Sequence, residues 1–167
     1  TTEYSKLEKN NLANGYDRNS ISEDHKKIVD LLGFQPGYSA YVNNQPPGAQ
    51  MYRHVDSITC YTYENTDNNI MQTKFDKEKR QPVDSKPIYR CFVALDDWHE
   101  GQMFVFQDTQ VWSHWKKGDV IFFDWQRAFH ATANCGFHDR PLLKITGVVN
   151  NDSYIIQART TGEITHL

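Results

Sequence analysis

The stretch GDVIFFDWQRAFHATANCGFHDRPLLKITGVV, residues 118–149, decides the fold. A turn at Lys117-Gly118 opens into the apolar run Val120–Trp125. A short connection leads to His130, which begins a second run, His130–Asn134. The segment from Cys135 to Asp139, with Gly136 inside it, is short enough for a hairpin. A third run, Leu142–Val149, follows. Each run is short, rich in Val, Ile, Phe and Thr, and bounded by turn residues, which is the pattern of β-strands.

Upstream the same pattern recurs at Tyr38–Val42, Met51–Tyr63, Ile88–Leu95 and Met103–Gln107, with turns at Asn43–Gly48 and Gly101. Many short strands without long helices between them predict an antiparallel sandwich or jelly roll. One helix is expected over Glu23–Leu32, capped by Ser22 and stopped by Gly33. Residues 1–37 read as an arm and helix packed on the core. Residues 38–167 read as the core itself, interrupted by a polar loop at 64–87 that is a candidate lid.

Composition narrows the function. The chain has 167 residues, which suits one domain, and 13% aromatics, enough to fill a β core. Its 18 basic and 21 acidic residues give a net charge of -3, against a general nucleic-acid binder. No apolar run is long enough to span a membrane, and no secretory signal is visible. Cys60, Cys91 and Cys135 are odd in number and form no CxxC pair, so reduced thiols and a cytoplasmic location are expected. The partner expected is a small molecule or peptide; oligomeric state has no signal here.

Strand side chains alternate between faces, so in Tyr52-Arg53-His54-Val55-Asp56 the imidazole and the carboxylate point the same way. A metal needs that from two ligands on one strand, and His130 is the candidate third. Two His and one carboxylate is a ligand set of non-haem Fe(II) oxygenases. Arg140 lies just past the connection that follows the His130 strand. The hairpin reading places it level with His130 on an adjoining strand, where its planar fork suits a carboxylate. Tyr52 and Asn134 are candidate pocket residues, with Asn134 also suited to fixing the hairpin.

From Gly48 to Gly147 the chain resembles the 2-oxoglutarate- and Fe(II)-dependent oxygenases. It is most similar to the aspartyl/asparaginyl β-hydroxylase-like branch, which includes free-amino-acid hydroxylases such as proline hydroxylases. The matching pieces are His54-Val55-Asp56, Arg90–Leu95, Trp115–Asp119, Phe122–Asp124, His130–Asn134 and Arg140. The resemblance implies a double-stranded β-helix, a jelly roll of the cupin-like kind. It implies that His54, Asp56 and His130 hold iron, and that Arg140 clamps the distal carboxylate of 2-oxoglutarate. Arg90 would face the site and bind cosubstrate or substrate. The implied reaction consumes dioxygen and 2-oxoglutarate to hydroxylate an amino acid, peptide or other small polar substrate, with succinate and carbon dioxide as coproducts. The long insertion at 64–87 departs from the family pattern.

Two other functions fit a jelly roll: a cupin-type metal enzyme that does not use 2-oxoglutarate, and a non-catalytic binding module. His25, His99, His114, His138 and His166 show no partner pattern and read as surface residues.

Overall fold

A computed structural model describes residues 17–55, 60–64, 70–76, 81–82, 88–106, 110–123 and 128–153. The elements in chain order are β1 (Asp17–Asn19), α1 (Glu23–Leu31), β2 (Ser39–Gln45), β3 (Gln50–His54), β4 (Cys60–Glu64), β5 (Ile70–Asp76), β6 (Gln81–Pro82), β7 (Tyr89–Ala94), β8 (Gln102–Phe106), β9 (Gln110–Trp112), β10 (Val120–Phe122), β11 (His130–Asn134) and β12 (Arg140–Gly147). Among the described residues no helix is long and apolar enough to cross a membrane.

The pairing defines the architecture. β2, β3, β7 and β8 run outward, and β9, β10, β11 and β12 return along them, pairing β8·β9, β7·β10, β3·β11 and β2·β12. This long hairpin is wound up, so that β12 also pairs with β7 and β11 with β8. The result is two antiparallel sheets, β1-β2-β12-β7-β10 and β3-β11-β8-β9, between which the chain alternates. That winding is the double-stranded β-helix, or jelly roll, expected from the run of short strands.

The winding corrects one expectation. β11 and β12 lie in different sheets, so the 135–139 segment is a crossing from sheet to sheet and not a hairpin turn. A five-residue connection with a glycine serves either purpose, and local sequence does not separate them. Arg140 therefore reaches the His130 strand across the barrel interior, not along one sheet.

The polar stretch 64–87, read as a loop, contains β5 and β6, which with β4 form a third small sheet. The alternation Met71, Thr73, Phe75 carried that signal, masked by charged flanks. The expected single strand Met51–Tyr63 is two strands, β3 and β4.

β12 is buried along both faces, which explains its nearly continuous apolar run. Leu143 and Ile145 face outward from the barrel and pack with Cys91, Val93, and Val29, Leu32 and Phe34 of the helical segment. Leu142 faces inward with Phe92, Ala94, Phe104, Phe106 and Trp115. The helix begins as expected: the Ser22 side chain accepts from His25 N, and His25 Nδ1 accepts from Ser22 N. His25 is thus a capping residue, where sequence suggested only a surface position. Gly33 ends the helix at φ +77°, a conformation costly for other residues.

Candidate metal and anion site

His54 ends β3 and His130 begins β11, directly opposite one another in the ladder. Their ring centroids are 4.3 Å apart with planes tilted by 52°. The placement depends on a β-bulge. Thr132 pairs with Met51 and His130 with His54, so Tyr52 and Arg53 together oppose the single residue Ala131. Without that extra residue Arg53 would stand opposite His130, and His54 would be on the other face.

The bulge also moves Tyr52. Strict alternation put it on the His54 face; instead its side chain is half-exposed, with its hydroxyl 3.4 Å from the Gln50 amide nitrogen. Arg53 is also turned away, its guanidinium 4.5 Å from the exposed Phe129 ring centre.

Both imidazoles are fixed by the backbone. His54 Nδ1 is 2.7 Å from the Tyr52 carbonyl, and His130 Nδ1 is 3.0 Å from the Ala128 carbonyl. A carbonyl only accepts, so Nδ1 carries the proton on each ring. On the neutral ring Nε2 then holds the lone pair, and that is the tautomer that binds a metal. His130 is 3% exposed. It packs against Phe123 at 4.9 Å and Phe104 at 6.0 Å between ring centroids, an apolar wall beside the pair.

Asp56 falls outside the described residues. Among the described residues, no group of three or more His, Cys, Asp or Glu converges on a point.

Arg140 is 2% exposed. Its side chain crosses the barrel to donate from a terminal nitrogen to the Met103 carbonyl at 2.9 Å, and its Cζ is 5.7 Å from the Phe104 ring centre. Arg140 and His130 therefore both flank Phe104. Arg90 is buried on the inward face of β7, and its Nε donates to Thr146 Oγ1 on β12 at 2.8 Å.

Asn134 is wholly buried and committed to structure. Its amide nitrogen donates to the carbonyls of Gln45 and His138, both at 2.8 Å, and its oxygen accepts from Gly136 N at 3.2 Å. Of its two expected roles, fixing the connection after β11 is the one its hydrogen bonds serve.

Lys144 was missed by sequence reasoning. It shares the inward face of β12 with Arg140, Leu142 and Thr146. Its Nζ is 5.5 Å from the centre of Phe92, part of the barrel core, and 5.9 Å from Tyr41. The signal was available: counting by twos from Arg140 reaches Lys144, a lone charge inside Leu142–Ile145. The eight barrel strands, β2, β3 and β7–β12, hold Arg53, Arg90, Arg140 and Lys144 but no Asp or Glu.

No family model matches the chain, and no curated protein does. Among solved structures it is similar to the cupin domain of Schizosaccharomyces pombe Cnp3, at 13% identity and a TM-score of 0.41, covering 88% of this chain and 69% of that one. It is also similar to a Cupin 2 conserved barrel domain protein from Salinispora arenicola, at 10% identity, TM-score 0.40, and 89% and 83% coverage. A third is the plu4264 protein of Photorhabdus luminescens, at 12% identity, TM-score 0.39, and 89% and 84% coverage.

Proposed function

We propose that this protein is a non-haem Fe(II)- and 2-oxoglutarate-dependent oxygenase that hydroxylates a small polar substrate, an amino acid or a peptide. The observation that carries the reading is the facing pair His54 and His130, each with Nδ1–H tied to a backbone carbonyl so that Nε2 is the donor atom.

The donor set fits a divalent first-row metal. The imidazoles of His54 and His130, on adjoining strands, would hold it, and Asp56, two residues after His54 in the sequence, would be the carboxylate of a two-His, one-carboxylate set. With iron, 2-oxoglutarate and dioxygen in place, the site would gain the oxidising power to hydroxylate an unactivated C–H bond, releasing succinate and carbon dioxide.

The protein's own contribution is placement and exclusion of water. The backbone carbonyls of Tyr52 and Ala128 orient the imidazoles. Phe104 and Phe123 keep water from one side of His130. Arg140 would supply a planar cation to the far carboxylate of a bound cosubstrate, because a carboxylate taken from water into an apolar barrel needs a charged partner. Its bond to the Met103 carbonyl uses one terminal nitrogen and holds the fork in place.

Two variants test the reading. His130→Ala should weaken Zn(II) or Mn(II) binding by at least about a hundredfold, since losing a ligand costs more than losing its orienting partner. Unchanged metal affinity would overturn the assignment. Arg140→Lys keeps charge but loses the fork, and should weaken 2-oxoglutarate binding about tenfold or more while leaving the metal in place. Wild-type 2-oxoglutarate affinity in Arg140→Ala would overturn the clamp role and leave Arg140 tying β12 to the Met103 carbonyl, whereas no 2-oxoglutarate binding by the metal-loaded wild type would favour the cupin-type metal enzyme that does not use this cosubstrate.

A further inference from the structure

We infer that His99 and His138 form a second metal site, at the end of the barrel away from His130, and that it takes a late divalent metal, Ni(II) or Cu(II). The site uses no residue of the proposed oxygenase machinery.

The two residues stand on different connections, His99 between β7 and β8 and His138 between β11 and β12. Their ring centroids are 4.2 Å apart, with planes 27° from parallel. A buried glutamine holds them there. Gln102 is 2% exposed, and its amide bridges the two connections. Its Oε1 accepts from His99 N at 3.3 Å, and its Nε2 donates to the carbonyls of His138 at 3.1 Å and Asp139 at 3.2 Å. The backbone closes the same gap. Cys135 N donates to the Gly101 carbonyl at 2.9 Å, and the Gly101 and Gly136 segments lie so close that neither glycine has room for a Cβ. One side chain and two glycines thus fix the backbones that carry the imidazoles.

The spacing suits a single metal ion. Metal–imidazole bonds of about 2.0–2.1 Å put two cis nitrogens about 2.9 Å apart and their ring centres about 4.5 Å apart. A small turn of two side chains separates that from the observed 4.2 Å. The rings have room for it: the His99 side chain is 33% exposed, and His138 is exposed. Asp96 assigns the nitrogens of His99. Its Oδ2 lies 3.6 Å from Nε2, so Nε2 faces the carboxylate and Nδ1 is left for the metal, the arrangement in which a carboxylate orients a ligating histidine.

Donor count decides the class of metal. Among the described residues no third His, Cys, Asp or Glu converges with these two. Two cis imidazoles with water in the other positions make a tetragonal set of nitrogen and oxygen, which suits Ni(II) and Cu(II). Zn(II) favours a tetrahedral set with three or four protein ligands, so it is the poorer occupant. The length of β11, about 13 Å from His130 to Asn134, keeps this site apart from the His54–His130 pair.

The test titrates the full metal-stripped chain with Ni(II) by calorimetry; Ni(II) leaves the exposed Cys135 reduced. Wild type should show one more nickel site than His99→Gln or His138→Gln, each variant weakening that site about tenfold or more, since losing a ligand costs more than losing its orienting partner. Asp96→Asn should weaken it by less than either. Both Gln variants should keep the wild-type circular dichroism and the wild-type zinc affinity of the His54–His130 pair. Wild-type nickel count and affinity in both Gln variants, or a loss in only one of them, would overturn the proposal, as would loss of this nickel site in a folded His130→Ala. If His130→Ala changes no metal binding while both Gln variants lose the nickel, this site stands and the metal reading of His54 and His130 falls.

Discussion

Replacing Asn134 by Ala separates a structural role from a pocket role, and the structure sets the size of the effect. The side chain makes three hydrogen bonds, all to backbone: to the Gln45 carbonyl, the His138 carbonyl and Gly136 N. The Gln45 bond is buried and the other two are partly buried. Losing the buried one leaves an unsatisfied carbonyl, at about 1.5 kcal/mol; the partly buried ones cost about 0.5–1 kcal/mol each. The variant should therefore lose about 3 kcal/mol, measured by urea unfolding with an unchanged m-value. A water entering the vacated space restores one bond and sets the lower end near about 2 kcal/mol. In a chain of this size the midpoint should fall by roughly 6–12 °C. Zinc affinity should stay within about threefold of wild type, because Asn134 sits at the opposite end of β11 from His130. Asn134→Asp sharpens the test. Its carboxylate would face the two carbonyls that the amide now serves, so its folded pKa is raised and the loss should exceed that of Ala at neutral pH. The sign follows: stability returns as pH falls below the raised pKa and is lost as pH rises through it. A loss under about 1 kcal/mol in Asn134→Ala, or a large fall in zinc affinity, would refute the structural role.

Two further outcomes follow from packing. Gly101→Ala puts a Cβ 2.4 Å from Gly136 N at φ +89°, so it should cost about 3 kcal/mol or more in urea unfolding; a loss under about 1 kcal/mol would contradict the close approach. Iodoacetamide at mildly alkaline pH should label the exposed Cys135 in the native protein, while Cys91, wholly buried and with its thiol pKa pushed up by burial, should react only on unfolding; mass spectrometry of the labelled peptides distinguishes the two, and early labelling at Cys91 would contradict its position.

The sequence carried the strand pattern and the helix cap because both are local. Ser22 before an acidic first turn and Gly33 after the last one mark the helix without tertiary information. The β11 boundaries were also legible, since His130–Asn134 stands between two breaks. Sheet membership was not. A connection of a few residues permits a hairpin or a crossing, and only the pairing of β11 with β3 and β8, against β12 with β2 and β7, decides. Arg140 was placed on the wrong neighbour for that reason, yet it still reaches the ring beside His130, because its long side chain spans the interior.

The site itself depends on the one place where alternation fails. Thr132 opposite Met51 sets a register in which Arg53, not His54, would face His130. The extra residue at Tyr52-Arg53 shifts the next side chain to the inner face and brings the two imidazoles together. The reading of Tyr52 as a pocket residue assumed unbroken alternation, which the bulge interrupts at that residue. Alternation counted from the Met51 side would have misplaced His54. Past the bulge, alternation resumes its predictive value: on β12 it takes Arg140 to Lys144 and Thr146, and from Thr146 across to Arg90. One inserted residue thus brings the two imidazoles together on the face that looks across to Arg140, so the length of β3 between Met51 and His54 constrains that approach more than the identity of Tyr52 does.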